Sequence, residues 1–360
     1  MVKRMSRRDR RIALAGRMLW SSGLASVLGR FTQGKGIVFT LHRVLPPSER
    51  AFQPNSLLEI TPQFLEETIL QVRRAGLEFV SLSEATKRLK AGADYKGPRF
   101  VALTFDDGYR DNLDVAYPIL KRHEVPFTVF ITSGFCDRTS ELWWVALERL
   151  IERQSKLVLL DGQPVLSLDC ADICAKNAAF HRARAFLMHE VDEARQRRII
   201  RETAHHYGLD LKALAAELVL SWEELRAWNR ESLVSFGAHT VSHPALERLD
   251  PAAIHAEVAQ GVQRMTDELG SKPTAFAYPY GFEQAADHRA FEVLRSFEFD
   301  ACVTTRAGTL TKSYSDKCFR LPRVSLNGHH QNAQMVSLFL TGVPFVLYDG
   351  LAWLKKRLRS

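Results

Sequence analysis

Taken as a pattern of apolar and polar positions, the chain keeps one rhythm over most of its length. Short, mostly apolar runs end in turn-forming or charged residues, and stretches with helical spacing follow them. The runs are Ile37–Leu41, Phe79–Leu82, Phe100–Leu103, Phe127–Ile131, Leu233–Phe236, Thr274–Ala277 and Ala301–Thr305. Near-continuous apolarity, rather than alternation, suits strands buried on both faces, as in parallel sheets. After Thr61-Pro62, residues Phe64, Leu65, Thr68, Ile69 and Val72 recur at helical spacing, and Gly76 ends that helix. Ser83 is expected to cap the next one. Asn112–His123 predicts a helix that Pro118 either kinks or restarts. Beyond Asp250-Pro251, residues Ile254, Val258, Val262, Met265 and Leu269 share a face and Gly270 closes the helix. Ala285–Phe297 reads as helical too. Strands alternating with helices of this length call for parallel βα units.

The rhythm breaks between Cys136 and Ser232. Trp143–Ile151 reads as a helix, Leu157–Leu160 with Val165–Leu168 as a hairpin, Asn177–Tyr207 as one long charged helix, and Leu211–Trp228 as helical pieces. The expected organisation is a barrel in two parts, residues 36–135 and 233–328. A mostly helical insertion over 136–232 would cap or flank its mouth. Residues 1–35 read as a basic amphipathic helix whose apolar side runs from Leu14 to Phe31, expected to pack against the barrel, with docking on an anionic membrane surface as the alternative, and residues 329–360 as a helical, basic tail.

At 46% apolar residues the chain can build a sizeable core, and its 360 residues could hold one large barrel or two domains. Cys136, Cys170, Cys174, Cys302 and Cys318 are odd in number and lack C-x-x-C spacing, which points to free thiols in a reducing compartment. The net charge of +8 sits at the ends. Residues 1–17 hold seven Lys/Arg against one Asp, residues 355–359 hold four more, and the body between is slightly acidic. Arg17 interrupts the apolar run that a signal peptide would need. The apolar tail from Met335 to Trp353 is broken by Gly342, Pro344 and Asp349-Gly350, so no membrane span is expected. The location expected from these features is cytoplasmic, with the basic ends available for peripheral contact at the inner face of the cell membrane. Nucleic acid is not an expected partner, because aromatic residues do not interleave with the basic ones.

The chemistry gathers at two strand ends. Phe100–Leu103 runs into Thr104-Phe105-Asp106-Asp107-Gly108, where two adjacent carboxylates need a cation if either is to be buried. Leu233–Phe236 runs towards His239 and His243, four residues apart, whose rings can meet one point from a helical turn or a tight loop. One carboxylate with two imidazoles leaves coordination positions open, the pattern of a catalytic rather than a structural metal.

These stretches, Thr104–Gly108, His239-Thr240-Val241-Ser242-His243 and Tyr278-Pro279-Tyr280-Gly281, resemble motifs of the polysaccharide deacetylases, carbohydrate esterase family four. The resemblance spans roughly residues 36 to 324. It implies a distorted (β/α) barrel of about seven parallel strands, one divalent metal ion, usually Zn2+, and hydrolysis of N-acetyl groups on an amino-sugar glycan. It assigns metal ligation to Asp107, His239 and His243, the general base to Asp106, and an oxyanion-holding backbone N–H to Tyr280. Tyr109 and Arg323 join Tyr280 as candidates for substrate or oxyanion contact.

Two departures from the family pattern stand out. Ala277 occupies the place of the Arg that usually orients the base, a task for which Arg320 or Arg323 is the replacement candidate. No Leu-x-His follows Thr305; instead Thr40-Leu41-His42 leaves the first strand, as in a permuted branch of the family. His42 is therefore the candidate general acid, with His329 and His330 in reserve. Two other readings remain open here. A non-haem iron enzyme also uses two His and a carboxylate but gives Asp106 no purpose, and a catalytically degenerate carbohydrate-binding barrel is compatible with Ala277.

Overall fold

The computed structural model describes residues 23–282, 285–348 and 350. In chain order its strands are β1 (Gly36–Leu41), the short pair β2 (Arg43–Val44) and β3 (Glu59–Ile60), β4 (Glu78–Phe79), β5 (Phe100–Phe105) and β6 (Phe127–Ile131). They continue with the hairpin β7 (Lys156–Asp161) and β8 (Gln163–Asp169), then β9 (Val234–Ala238), β10 (Ala275–Ala277), β11 (Ala301–Val303) and β12 (Val324–Ser325). Seven strands pair in parallel in the order β11-β10-β9-β6-β5-β1-β12, and β4 joins the edge of β5. The sheet curls into a half-barrel, and a parallel bridge between Val303 and Leu321 draws the approach to β12 back towards β11.

Every residue of β1, β5 and β6 is buried, as their near-continuous apolar runs predict, including the one threonine in each. Side-chain parity then divides the core. Ile37, Phe39, Val101 and Leu103 belong to the large cluster shared with the helices, whereas Val38, Phe100, Ala102 and Phe130 form a second cluster with Ala277 and Val303. The large cluster runs without a break into the insertion, through Trp144, Leu159, Ile199 and Leu225. Helices and barrel therefore share one core rather than meeting as separate bodies.

Register brings the strand ends together. Leu41 and Val129 both pair with Phe105, Ile131 pairs with Ala238, and Ala238 pairs with Phe276. The residues that follow, His42, Asp106-Asp107, His239 and Ala277 onward, thus emerge at one end of the barrel.

Local chemistry shifted several expected boundaries. The helix after β4 is Leu82–Lys90 and is capped by Ser81, whose side chain accepts from the Glu84 N–H, rather than by Ser83. The expected helix over Asn112–His123 is a π-helical turn, Asn112–Ala116, followed by an α-helix, Tyr117–Arg122, so Pro118 restarts the helix in its first turn. The long charged helix over Asn177–Tyr207 is two helices, Ile173–His189 and Glu193–His206. Asp192 separates them by capping the second through the Arg195 N–H. Leu24–Thr32 is helical; the part of the expected amphipathic helix before residue 23 lies outside the described residues, as do both basic ends. All five cysteines are free thiols.

Candidate active site

The site begins where β5 ends. Asp106 continues the strand for one residue, its N–H donating to the Leu41 carbonyl at 3.0 Å. Its carboxylate meets Arg323, which sits just ahead of β12, in a two-pronged pair: Nη1 to Oδ1 and Nη2 to Oδ2, each 2.7 Å. The same guanidinium donates from Nη1 to Thr104 Oγ1 at 3.0 Å and from Nε to the Thr304 carbonyl at 2.9 Å. Arg323 is fully buried, so its planar fork is fixed from every side. Thr40 Oγ1 adds a weaker donor to Asp106 at 3.3 Å.

Asp107 turns away through a left-handed backbone at φ 74°, which points its side chain towards β9. His239 directly follows β9 and donates from Nδ1 to the Ala277 carbonyl at 2.7 Å, which leaves Nε2 with its lone pair free. His239 Nε2 lies 3.6 Å from Asp107 Oδ1 and His243 Nε2 lies 3.3 Å from it. The His243 ring is enclosed by Tyr280 (centroids 4.7 Å apart) and by Trp144 of the insertion (5.1 Å).

Holding these groups together strains the backbone. Of the six non-glycine residues with positive φ among the described residues, Asp107, Thr240, His243 and Tyr280 are at this site. Such conformations cost about 1–3 kcal/mol each and persist only where the surroundings impose them. Glu257 does so for the histidine loop: it accepts from the N–H groups of Val241 (3.0 Å) and Ser242 (2.9 Å) and from Ser242 Oγ (2.6 Å).

The electrostatics separate the two carboxylates. Burial works against charge on Asp106, but Arg323, with His239 and His42, outweighs it and holds the carboxyl well below the usual carboxylate range. Asp107 is pushed well above that range, by burial and then by the charge of Asp106. Burial lowers His239 to about 4 and takes His243 well below its ordinary value, with His239 and Arg197 adding to the second shift. His42 is also lowered by burial, against the pull of Asp106.

A metal ion fits this arrangement. Asp107 Oδ1 is buried without a hydrogen-bond donor, and one ligand atom from each of Asp107, His239 and His243 lies within 4.8 Å of the others. Neutral imidazoles and an orphaned carboxylate are what a divalent cation needs, and its charge would reverse the penalty on Asp107.

His42 follows β1 at the same end of the barrel, its carbonyl accepting from Asn112 Nδ2 at 2.7 Å, and a proton on its ring would favour the ionised form of Asp106 and the neutral forms of His239 and His243. The Tyr280 hydroxyl accepts from Trp143 Nε1 at 2.8 Å, while its backbone N–H donates to none of the described residues. Two expectations need correcting. The Tyr109 side chain does not face a substrate: it is fully buried, with Arg43 over its ring and its hydroxyl accepting from Trp144 Nε1 at 3.0 Å. Arg323 does not face one either, since all three of its guanidinium nitrogens are engaged by protein, two of them by Asp106. His329 and His330 lie in the turn after β12, and His205 and His206 are exposed on the insertion. What sequence reasoning missed was Glu257, an unremarkable acidic residue in the middle of a helix.

The polysaccharide deacetylase family profile matches residues 93–159 and 177–302, more than half of the chain. The chain belongs to the polysaccharide deacetylase family, hydrolases that act on carbon–nitrogen bonds other than peptide bonds. Among solved structures it is similar to the Streptococcus pyogenes deacetylase PplD in complex with acetate, at 16% identity over 84% of this chain and 97% of that one, TM-score 0.55. It is also similar to IcaB from Ammonifex degensii, at 18% identity over 85% and 97%, TM-score 0.53. A third is a de-N-acetylase from Aggregatibacter actinomycetemcomitans, at 13% identity over 84% and 99%, TM-score 0.52. At these identities the likeness is one of fold. No curated protein sequence matches the chain.

Proposed function

We propose that the protein hydrolyses the N-acetyl amide of an amino-sugar oligo- or polysaccharide, using one divalent metal ion, preferably Zn2+, held by Asp107, His239 and His243. When bound, such an ion polarises the acyl oxygen and acidifies water. Asp106 accepts the proton of the attacking water; Arg323 keeps that carboxylate ionised and fixes its direction. The Tyr280 N–H, which has no partner among the described residues, donates to the oxygen that gains charge as the carbonyl is attacked. His42, when protonated, gives its proton to the departing nitrogen, so that acetate leaves with the oxygen of water and the sugar leaves as the amine.

The observation that carries this reading is the contrast between neighbours. Asp106 is paired and ionised, whereas Asp107 is buried, unpaired and aimed at two neutral imidazoles. A structural ion pair would not leave the second carboxylate in that state. The assay is acetate release from a panel of N-acetylated glucosamine oligomers and polymers. Release that is lost on chelation and restored by Zn2+ is expected; no release from any member by metal-loaded protein would overturn the proposal.

A further inference from the structure

The end of the barrel opposite the active site carries a separate feature. Nine large apolar side chains are exposed among the described residues, and six of them, Val27, Leu28, Phe31, Val346, Leu347 and Tyr348, fall in two short segments. In the helix Leu24–Thr32, positions 27, 28 and 31 share one side. Ala25 and Gly29, on the other, pack against Met335, Leu338 and Thr341 of the helix Ala333–Thr341. Phe31 is 86% exposed.

The two segments meet. Thr32 Oγ1 donates to the Thr341 carbonyl at 2.7 Å, and a Cβ on Gly342 would lie 2.2 Å from the Thr32 carbonyl. Gly342 has φ 73°, and the turn there starts the helical residues 343–348 beside Thr32. Val343 and Phe345 are buried, while Val346, Leu347 and Tyr348 are exposed. At 1.5 Å per residue the exposed trio begins only about 6 Å along from that contact.

This patch lies at the start of the strands. Arg99, one residue before β5, ties it there by donating to the carbonyls of Gln33 (3.0 Å) and Leu340 (2.7 Å). The site residues follow the other ends of β1 and β5, about 20 Å away for strands of this length. The charge of the molecule concentrates on the same two chain ends: seven Lys/Arg in residues 1–17 and four in 355–359, around a slightly acidic body. No described helix is long and apolar enough to cross a membrane.

We propose that this face docks on an anionic phospholipid bilayer, with the six apolar side chains entering the interface, the two basic ends on the headgroups, and the active-site mouth turned away from the lipid. Apolar exposure in segments flanked along the sequence by cationic ones is the combination that interfacial binding requires. Neither half alone would suffice: scattered apolar residues bind weakly, and basic segments alone respond to any polyanion.

The test is co-sedimentation of the full chain with vesicles of phosphatidylcholine alone, or with about one third phosphatidylglycerol. Binding to the anionic vesicles only, weakened by added salt, is expected. Phe31→Glu with Tyr348→Glu should lower the apparent affinity at least about tenfold, while acetate release from a soluble oligosaccharide is unchanged. Should that variant unfold, Lys355→Glu with Arg357→Glu is expected to weaken binding without touching the described fold. Absence of binding, equal binding by wild type and both variants, or equal affinity for neutral vesicles would overturn the proposal. So would a dimer in solution that Phe31→Glu dissolves, which would make a second copy the occupant, or a loss of stability with vesicle binding intact, which would give the face to the chain's own ends.

Discussion

Replacing Arg323 by Met tests the division of labour between the two carboxylates. The substitution keeps much of the volume but removes a guanidinium that makes two 2.7 Å contacts to Asp106 and two more to Thr104 and Thr304. Asp106 would retain only the 3.3 Å donor from Thr40, in a place almost sealed from water. Removing one partner of a buried ion pair costs about 3–5 kcal/mol, a large share of the ~5–15 kcal/mol that holds a domain folded. The pH dependence has a definite sign. The folded carboxyl of Asp106 is depressed, so the pair contributes fully above the ordinary Asp value of about 3.9, and the contribution fades as pH falls through the acid range. Urea unfolding of chelated wild type and variant should therefore differ most near neutrality and converge at acid pH. In the metal-loaded variant burial would dominate Asp106, and the acid limb of kcat/KM should move to higher pH. A difference under about 1 kcal/mol, the value of an ordinary surface pair, would refute this account of Arg323, as would one independent of pH.

Other substitutions separate the remaining roles. Glu257→Ala should lower metal affinity by about 10–100-fold, read by competition with a chromophoric chelator, because the loop carrying both histidines loses three hydrogen bonds; unchanged affinity would make Glu257 merely structural. Asp106→Asn should keep metal and lose most of kcat, whereas Asp107→Asn should lose metal, and equal loss of metal in both would end the distinction. His42→Ala should lower kcat by about 10²–10⁴-fold and flatten the alkaline limb of the pH–rate profile, with less effect on substrates whose amine leaves readily. Near-full activity in that variant, with loss in His329→Ala or His330→Ala, would move the acid to the C-terminal segment.

Much of this was legible because burial on both faces writes itself as near-continuous apolarity. Phe127–Ile131 was placed to the residue, and the runs ending at Leu41 and ahead of Asp106 located the strands that carry the chemistry. The helix Pro62–Arg74 was equally plain, since its five spaced positions are all buried. Expectation failed where a single capping side chain decided, as at Ser81 and Asp192, because neighbouring serines and aspartates look alike until the backbone chooses one. Long-range partners were the least legible. Arg323 lies 217 residues from Asp106, and nothing local to Pro322-Arg323-Val324 says that the guanidinium will be buried against a carboxylate instead of facing solvent or substrate. The vacancy at Ala277 was the useful clue: it announced a missing cation and made Arg320 or Arg323 the replacement candidates, without deciding between the two. His239 shows why Ala suffices there, since it uses only the backbone carbonyl.

The central claim is that Asp107, His239 and His243 form a site for one catalytic divalent ion. Its most direct measurement is a titration of Zn2+ into chelator-stripped protein, following metal content after desalting and acetate release together. Wild type should retain about one ion per chain, with activity returning in step and saturating at that stoichiometry, while His239→Ala/His243→Ala should retain none and stay inactive. Stoichiometric metal held by the double variant, or full acetate release from stripped wild type, would contradict it.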